Sequence, residues 1–365
     1  MKLLPFLLTL CVSATSMAKS PVGVFENLYP DTPTSKGLRI MNFNTYFLYD
    51  MEDDPNVEKD QEFKPSDYTA KLKGIADAIN RNSPDVVGLQ EVENLRVLKD
   101  LNTYLNRNYN ILHYESRDSF TGQDVALLYD RTVLAQASKL RSNLRYSANL
   151  LDRKGKVLVK DQTLTKGILE VSLKVKATNE VLTFLVVHLK SQLGGFTSDM
   201  KRIAQANTLR QRMDEILQAG KKKIFLLGDF NDINPSAVIK MVTGESRYEY
   251  DYDAKSQVLF YDLLVDYSRK DNFTYKHQKF LKAGNKFRYL GTFYSRIDYI
   301  FASPWVKDRS KDVYIDQTHS GDVPSEEFRP EDERVVIGSN GEVEIFNSDR
   351  FPSDHYPVII NYKIN

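Results

Sequence analysis

KIFLLGDFND, residues 223–232, decides how the chain is read. Ile224, Phe225, Leu226 and Leu227 form an unbroken apolar run of strand length, and Gly228 permits a backbone turn where the run ends. Alternation along an extended chain then puts Asp229 and Asn231 on one side and Phe230 on the other. A carboxylate and an amide oxygen leave a buried strand end together, and a hard cation such as Mg²⁺ takes those ligands. A D-x-N tripeptide is also common turn chemistry, so a metal reading needs partners from other strand ends.

Other apolar runs end in the same way. Residues 181–187 (VLTFLVV) stop at His188, Leu189, Lys190 and Ser191. Residues 86–89 form a short buried strand that delivers Gln90 and Glu91, and residues 38–44 (LRIMNFN) alternate so that Asn42 and Asn44 project to one side. In IDYIF, residues 297–301, Asp298 sits inside a strand pattern, where a carboxylate is costly unless paired. Ser353, Asp354, His355, Tyr356 and Pro357 lead into a last strand at 358–362. Each residue alone has an ordinary explanation. Glu91 reads as a charge at a helix N-terminus, His188 as a hydrogen-bonded strand-end histidine, and Asp124 as a turn residue or a partner for a site histidine. Together the strand ends carry Asn44, Glu91, His188, Asp229 with Asn231, Asp298, and Asp354 with His355. Four carboxylates with no lysine or arginine among them repel one another, and a divalent cation is the natural compensation.

The intervening segments read mainly as helices and loops. Ser66 or Asp67 caps a helix carrying Leu72, Ile75, Ala76 and Ile79 that Pro84 ends, and a second helix runs through Leu95, Leu98, Leu101 and Leu105. Residues 199–219 form a long helix with Ile203, Ala206, Leu209, Met213, Ile216 and Leu217 on one face and Arg202, Arg210 and Arg212 among its polar residues. Gly220 with Lys221, Lys222 and Lys223 closes that helix, the lysines serving its dipole and solubility. Asn234, Pro235 and Ser236 restart a helix, and further strands are expected at 109–114, 125–129 and 168–175. Residues 51–63 read as a charged loop, either a solvated connection or a flap, and residues 248–252 as loop. Residues 304–349 read as a charged excursion with one or two edge strands. There is no evident repeat and no composition break.

Composition bounds the class. At 365 residues, 41% hydrophobic and 27% charged, the chain is an ordinary globular protein, and 17 glycines with 13 prolines exclude collagen-like arrays and long flexible linkers. Lys2, the apolar stretch at 3–12 and the small-x-small sequence Ser16, Met17, Ala18 read as an export signal, with the mature chain starting near Lys19. The expected organisation is a signal segment at 1–18 and one catalytic domain at 19–365, secreted to periplasm or medium. Cys11 is the only cysteine and leaves with the signal, so the mature chain has no disulfide. Of 50 basic residues only Lys2 is lost, which leaves 49 against 49 acidic and makes any nucleic-acid-binding surface a local one.

MNFNTY, GLQEVEN, VVHLKS, LLGDFND, RIDYIF and SDHYPV, in this order, resemble the endonuclease/exonuclease/phosphatase superfamily over residues 38–362. The resemblance implies an α/β fold: a four-layer α-β-β-α sandwich of two packed mixed sheets with outer helices, its site at one end. It implies Glu91 as main Mg²⁺ ligand, with Asn44 and Asp354 close to that ion and Mn²⁺ as a substitute. Asp229 and Asn231 would hold the scissile phosphate or a second ion and orient water. His355 would be the general base or electrostatic partner, its tautomer fixed by Asp298, and His188 would donate to a phosphate oxygen or the leaving group. HLKS is similar to secreted bacterial nucleases, so Lys190 and Ser191 are candidate substrate contacts. The function implied is a secreted phosphodiesterase, first a monomeric nuclease acting on DNA or RNA, without stable membrane association. A phosphatase or sphingomyelinase-like enzyme shares the same core. The partner orienting the second histidine has no secure match, Asp124 being the candidate.

Overall fold

The computed structural model describes residues 37–60, 62–140, 148–151, 157–162, 167–245, 258–264, 272–283, 286–318, 334–337, 342–346 and 353–364. The expected signal at 1–18 and the loop at 248–252 lie outside the described residues. In chain order the elements begin with β1 (Gly37–Leu48), α1 (Pro65–Asn82), β2 (Val86–Val92), α2 (Leu95–Thr103), β3 (Tyr109–His113) and β4 (Asp124–Asp130). There follow β5 (Leu134–Gln136), β6 (Ala148–Leu151), β7 (Val157–Gln162), β8 (Ile168–Val175), β9 (Val181–His188) and α3 (Gly195–Gln218). The remainder comprises β10 (Ile224–Asp229), α4 (Ala237–Thr243), β11 (Tyr261–Asp262), β12 (Tyr275–Ala283), β13 (Lys286–Ser295) and β14 (Asp298–Ala302). Last come α5 (Pro304–Lys307), β15 (Ser310–Ile315), β16 (Arg334–Ile337), β17 (Glu342–Phe346) and β18 (Val358–Lys363).

Two six-stranded sheets carry the fold, in the orders β15-β18-β1-β2-β4-β3 and β11-β14-β10-β9-β8-β5. Each contains one parallel pair, β1 with β2 and β9 with β10, among antiparallel neighbours. Parallel neighbours need a crossover, and α1 and α3 supply it. Strand alternation then sorts the side chains into layers. Ile40, Phe184, Val186, Phe225, Leu227, Ile300 and Ile360 pack between the sheets. Met41, Phe43 and Leu89 meet Leu72, Ile75, Leu98 and Leu101 of the helices outside the first sheet. Leu185, Leu226 and Phe301 meet Leu209, Met213, Val238 and Val242 outside the second. The result is the expected helix–sheet–sheet–helix sandwich. A four-stranded sheet, β13-β12-β17-β16, and the β6–β7 pair are additions to it.

Several local expectations change. The first helix starts at Pro65 after Lys64, without a side-chain cap, because proline at the first helical position loses no hydrogen bond there. Glu91 lies in β2, and the cap of the following helix is Asn94, which accepts from the amides of Arg96 and Val97. The long helix begins at Gly195, four residues early. Its arginines are buried, not solvated: Arg212 pairs with Glu170 at 2.7 Å, Arg210 with Asp214 at 3.0 Å, and Arg202 with Asp232 at 3.3 Å. Lys223 reaches Glu180 at 2.5 Å, so this lysine is an inter-strand tie. Residues 51–60 are irregular, and the amides of Glu58 and Lys59 donate to the carbonyls of Ser119 and Phe120. In the expected excursion, β15 is an edge strand of the first sheet and β16 and β17 join the four-stranded sheet.

Candidate active site

The inner face of the sandwich is apolar along most of its length and turns polar at one end. On β1 the positions facing the other sheet run Leu38, Ile40, Asn42, Asn44; on β9 they end at His188, on β10 at Asp229, and β14 starts with Asp298. Below the site a first rung of amides joins the sheets: Gln90 Nε2 donates to Asn42 Oδ1 at 2.9 Å, and Asn42 Nδ2 to the Gly228 carbonyl at 3.1 Å. One layer up, Asn44 Nδ2 donates to Glu91 Oε1 at 3.1 Å and to Asp229 Oδ2 at 2.9 Å. Asn44 Oδ1 accepts from the Tyr46 amide at 2.9 Å, so this side chain ties the two carboxylates and turns its oxygen away from them.

Glu91 is out of phase with strand alternation, which would send it to the helix side. A register shift between Gln90 and Val92 and a left-handed backbone at Glu91, φ 61°, aim it at the site instead. Its Oε2 accepts from Gln123 Nε2 at 2.7 Å and from the Phe47 amide at 3.1 Å. The carboxylate is thereby held at both oxygens.

His188 Nε2 lies 3.6 Å from Asp229 Oδ2, 3.7 Å from Glu91 Oε1 and 3.2 Å from Asn231 Nδ2. Asn231 adopts φ 49°, donates its amide to Asp229 Oδ1 at 2.7 Å and its side chain to the Leu189 carbonyl at 3.2 Å. On the other flank, His355 Nδ1 meets Asp298 Oδ2 at 2.7 Å, while its Nε2 lies 3.9 Å from Asp229 Oδ2 and 3.7 Å from Asp354 Oδ1. Thr274 Oγ1 accepts from the amides of Ile297 and Asp298, and Ser353 Oγ donates to the Asn44 carbonyl at 2.7 Å, docking the last loop on β1. Lys190 and Ser191 leave β9 on a loop whose carbonyls accept from Arg202. The Lys190 amide donates to Gln205 Oε1 at 2.7 Å, and Ser191 Oγ accepts from the Leu193 amide at 3.2 Å. Seven of the expected residues and Asn231 thus converge; Lys190 and Ser191 border them. Asp124 does not orient His188: it accepts from the Ser116 amide and meets His113 Nε2 at 2.7 Å.

Crowded acids perturb one another. Burial and the neighbouring Asp298 charge push the Asp229 carboxyl up to about 8 against the pull of His355. Burial also raises Asp354 to about 7, with Glu91 adding to the rise and His355 and Lys71 opposing it. For His355 burial favours the neutral ring, but Asp298, Asp354 and Asp229 outweigh it and raise the imidazole to about 10. The donor set fits a divalent cation. Among the described residues, Asp354 Oδ1 and Asp298 Oδ1 are enclosed without a hydrogen-bond partner, and Glu91, His188 and Asp229 present ligand atoms within 4.8 Å of one another.

Residues 39–322 match the model of the endonuclease/exonuclease/phosphatase family. The chain belongs to that family. Members hydrolyse phosphate esters and generally use divalent metal ions. An endonuclease/exonuclease/phosphatase family protein from Bacteroides thetaiotaomicron superposes with a TM-score of 0.53 at 18% identity, covering 90% of this chain and 98% of that one. The human nocturnin catalytic domain gives 0.50 at 15%, covering 90% and 95%, and a mannosyl-6-phosphatase from Bacteroides thetaiotaomicron gives 0.51 at 18%, covering 88% and 98%. At these identities the likeness is one of fold. A comparison with curated protein sequences finds no significant match.

Residues that pattern reading missed include Gln123, Thr274, Lys71 and Arg202. Gln123 had a usable signal, since it lies just before the apolar run at 125–129. Thr274 had none.

Proposed function

We propose that the protein is a secreted, Mg²⁺-dependent phosphodiesterase of nuclease type, hydrolysing DNA or RNA by direct attack of water on phosphorus. One observation carries the reading: two imidazole Nε2 atoms flank a single buried carboxylate oxygen, Asp229 Oδ2, at 3.6 and 3.9 Å. A diester needs a proton removed from water and another supplied to the departing oxygen, and this constellation has groups for both.

Glu91 and Asp354, with Asn44 beside them, would hold the cation, which supplies charge stabilisation to the phosphoryl oxygens. Asp229 accepts the water proton at Oδ2, its raised carboxyl suiting it to that task near neutrality. Asn231 fixes Asp229 through Oδ1 and buttresses His188. His355 keeps its Nδ1 proton on Asp298 and presents Nε2–H to a phosphoryl oxygen. His188 protonates the leaving oxygen, and Lys190 and Ser191 border the path of the substrate strand. The apolar N-terminus suits export, and the HLKS sequence favours a nucleic-acid substrate.

The test offers plasmid DNA, RNA, sphingomyelin, mannose 6-phosphate and bis-p-nitrophenyl phosphate to pure protein, with Mg²⁺ and with chelator. Mg²⁺-dependent cleavage of either nucleic acid is expected. Turnover of the monoester or the lipid with both nucleic acids intact would replace the nuclease reading by a phosphatase or a phospholipid phosphodiesterase.

A further inference from the structure

Lys71 is 3% exposed, lies on α1 and has no part in the reaction set out above. A buried ammonium is costly unless it meets acceptors that repay its lost hydration. It donates to the Tyr46 carbonyl and sits 5.1 Å from the centre of the Tyr46 ring. The segment it grips is irregular: the pairing of β1 with β2 shifts register between Asn44 and Leu48, and Tyr46 and Phe47 both have left-handed backbones, φ 48° and 50°. Residues with a Cβ disfavour that conformation, which persists only where surrounding contacts enforce it.

The bulge is wired to the site. Its Tyr46 amide donates to Asn44 Oδ1 at 2.9 Å, and its Phe47 amide donates to Glu91 Oε2 at 3.1 Å. Two adjacent amides can reach two different side chains in this way because the left-handed pair bends the strand between them. Thr45 Oγ1 pins the base of the bulge on the Gln90 carbonyl at 2.8 Å. The ammonium closes the loop from the helix side.

We propose that Lys71 is a positioning residue for cation binding. Its ammonium clamps the Tyr46 and Phe47 bulge, whose Phe47 amide holds Glu91 directly and whose Tyr46 amide fixes Asn44 so that its Nδ2 steadies Glu91 for the metal. This rests on the reading of Glu91 and Asp354 as cation ligands. The test measures Mn²⁺ binding directly, by electron paramagnetic resonance or calorimetry, on folded Lys71→Met protein with its melting curve as control. Mn²⁺ affinity is expected to fall about tenfold or more, with the KM for the diester little changed. Affinity equal to wild type overturns the proposal.

A second route covers a Lys71→Met protein that does not fold. Cys11 is the only cysteine, so with Cys11→Ser in place Lys71→Cys is the single thiol and can be alkylated in denaturant and refolded. Aminoethylation restores an ammonium and should restore Mn²⁺ affinity, whereas carboxamidomethylation gives a neutral arm and should not. Equal affinity of the two products also overturns it. Glu91→Gln separates the two layers of inference. If that variant binds Mn²⁺ as wild type does, the metal assignment fails; if it is weakened while Lys71→Met is not, only the role of Lys71 fails.

Discussion

The two parallel strand pairs are built alike and end differently. β1, α1 and β2 in the first sheet correspond to β9, α3 and β10 in the second: a strand, a crossover helix and a parallel strand whose tip enters the site. In the second pair the strands stay regular to the end, with Asp229 opposite His188 in register, and the chain turns left-handed only at Asn231. In the first pair both strands break step, at Tyr46 and Phe47 and at Glu91. The regular half delivers side chains that alternation already aims inward. The broken half must bend its backbone to bring a carboxylate from the wrong face, and it spends main-chain amides and Lys71 on holding it. Under the proposed mechanism the regular half supplies the groups that move protons, and the bulged half the carboxylate, fixed at both oxygens, that takes a cation.

This contrast is breakable. The largest expected effect is on turnover: His188→Ala should lower kcat by about 10² to 10⁴ with a much smaller loss of Mn²⁺ affinity than Glu91→Gln, as steady-state kinetics and a Mn²⁺ titration on one preparation would read. Glu91→Gln should behave in the opposite way, weakening Mn²⁺ by about a hundredfold and regaining much of the lost rate at high metal concentration. Equal metal defects in both variants would dissolve the distinction between the halves.

The glycines sharpen it at the level of stability. A Cβ on Gly228 would lie 2.5 Å from the Val187 carbonyl oxygen, which belongs to a packed strand and cannot retreat. A Cβ on Gly88 would lie 3.0 Å from Leu227 Cδ1 and 3.2 Å from its Cβ, contacts that a shift of the neighbouring side chain by a few tenths of an ångström relieves. Urea unfolding should show Gly228→Ala losing about 3 kcal/mol and Gly88→Ala about 1 kcal/mol.

The end of the sandwich away from the site adds a pH signature. There Glu180 accepts from Lys223 and Arg309, both at 2.5 Å, and from Tyr362 at 3.0 Å, joining the two sheets. Burial alone would raise the Glu180 carboxyl, but these donors hold it below the ordinary range. A depressed folded value means that the stabilisation is complete above the unfolded value and fades as pH falls through the folded one. Glu180→Gln should therefore cost about 2 kcal/mol at pH 7 and progressively less below about pH 4, with kcat unaltered. A cost that grows on acidification would contradict the assignment.

What could be read from sequence follows the same divide. Asp229 and His188 sit where apolar runs stop, and Asp298 is a carboxylate inside an apolar run, so strand pattern alone was enough to single them out. Glu91 was found by its position after a strand, but its direction depends on a bulge that pattern cannot express, and as a bare residue it passed for a helix-terminal charge. The burial of Arg202, Arg210 and Arg212 was illegible because each answers acceptors outside its helix: Arg202 meets Asp232 after β10, Arg210 the Val242 and Val258 carbonyls, and Arg212 Glu170 on β8. Helix spacing sees only neighbours three and four residues away. The same reason hides Lys71, whose acceptor lies 25 residues upstream, and the His113–Asp124 pair, which took the acid reserved for His188.

Anomalous diffraction from crystals soaked in Mn²⁺ shows where the cation sits. A peak against the carboxylates of Glu91 and Asp354 is the expected result. A peak at His113, Glu115 and Asp124, among the described residues the other group of ligand atoms within 4.8 Å of one another away from this site, with Glu91 and Asp354 bare, would overturn that assignment.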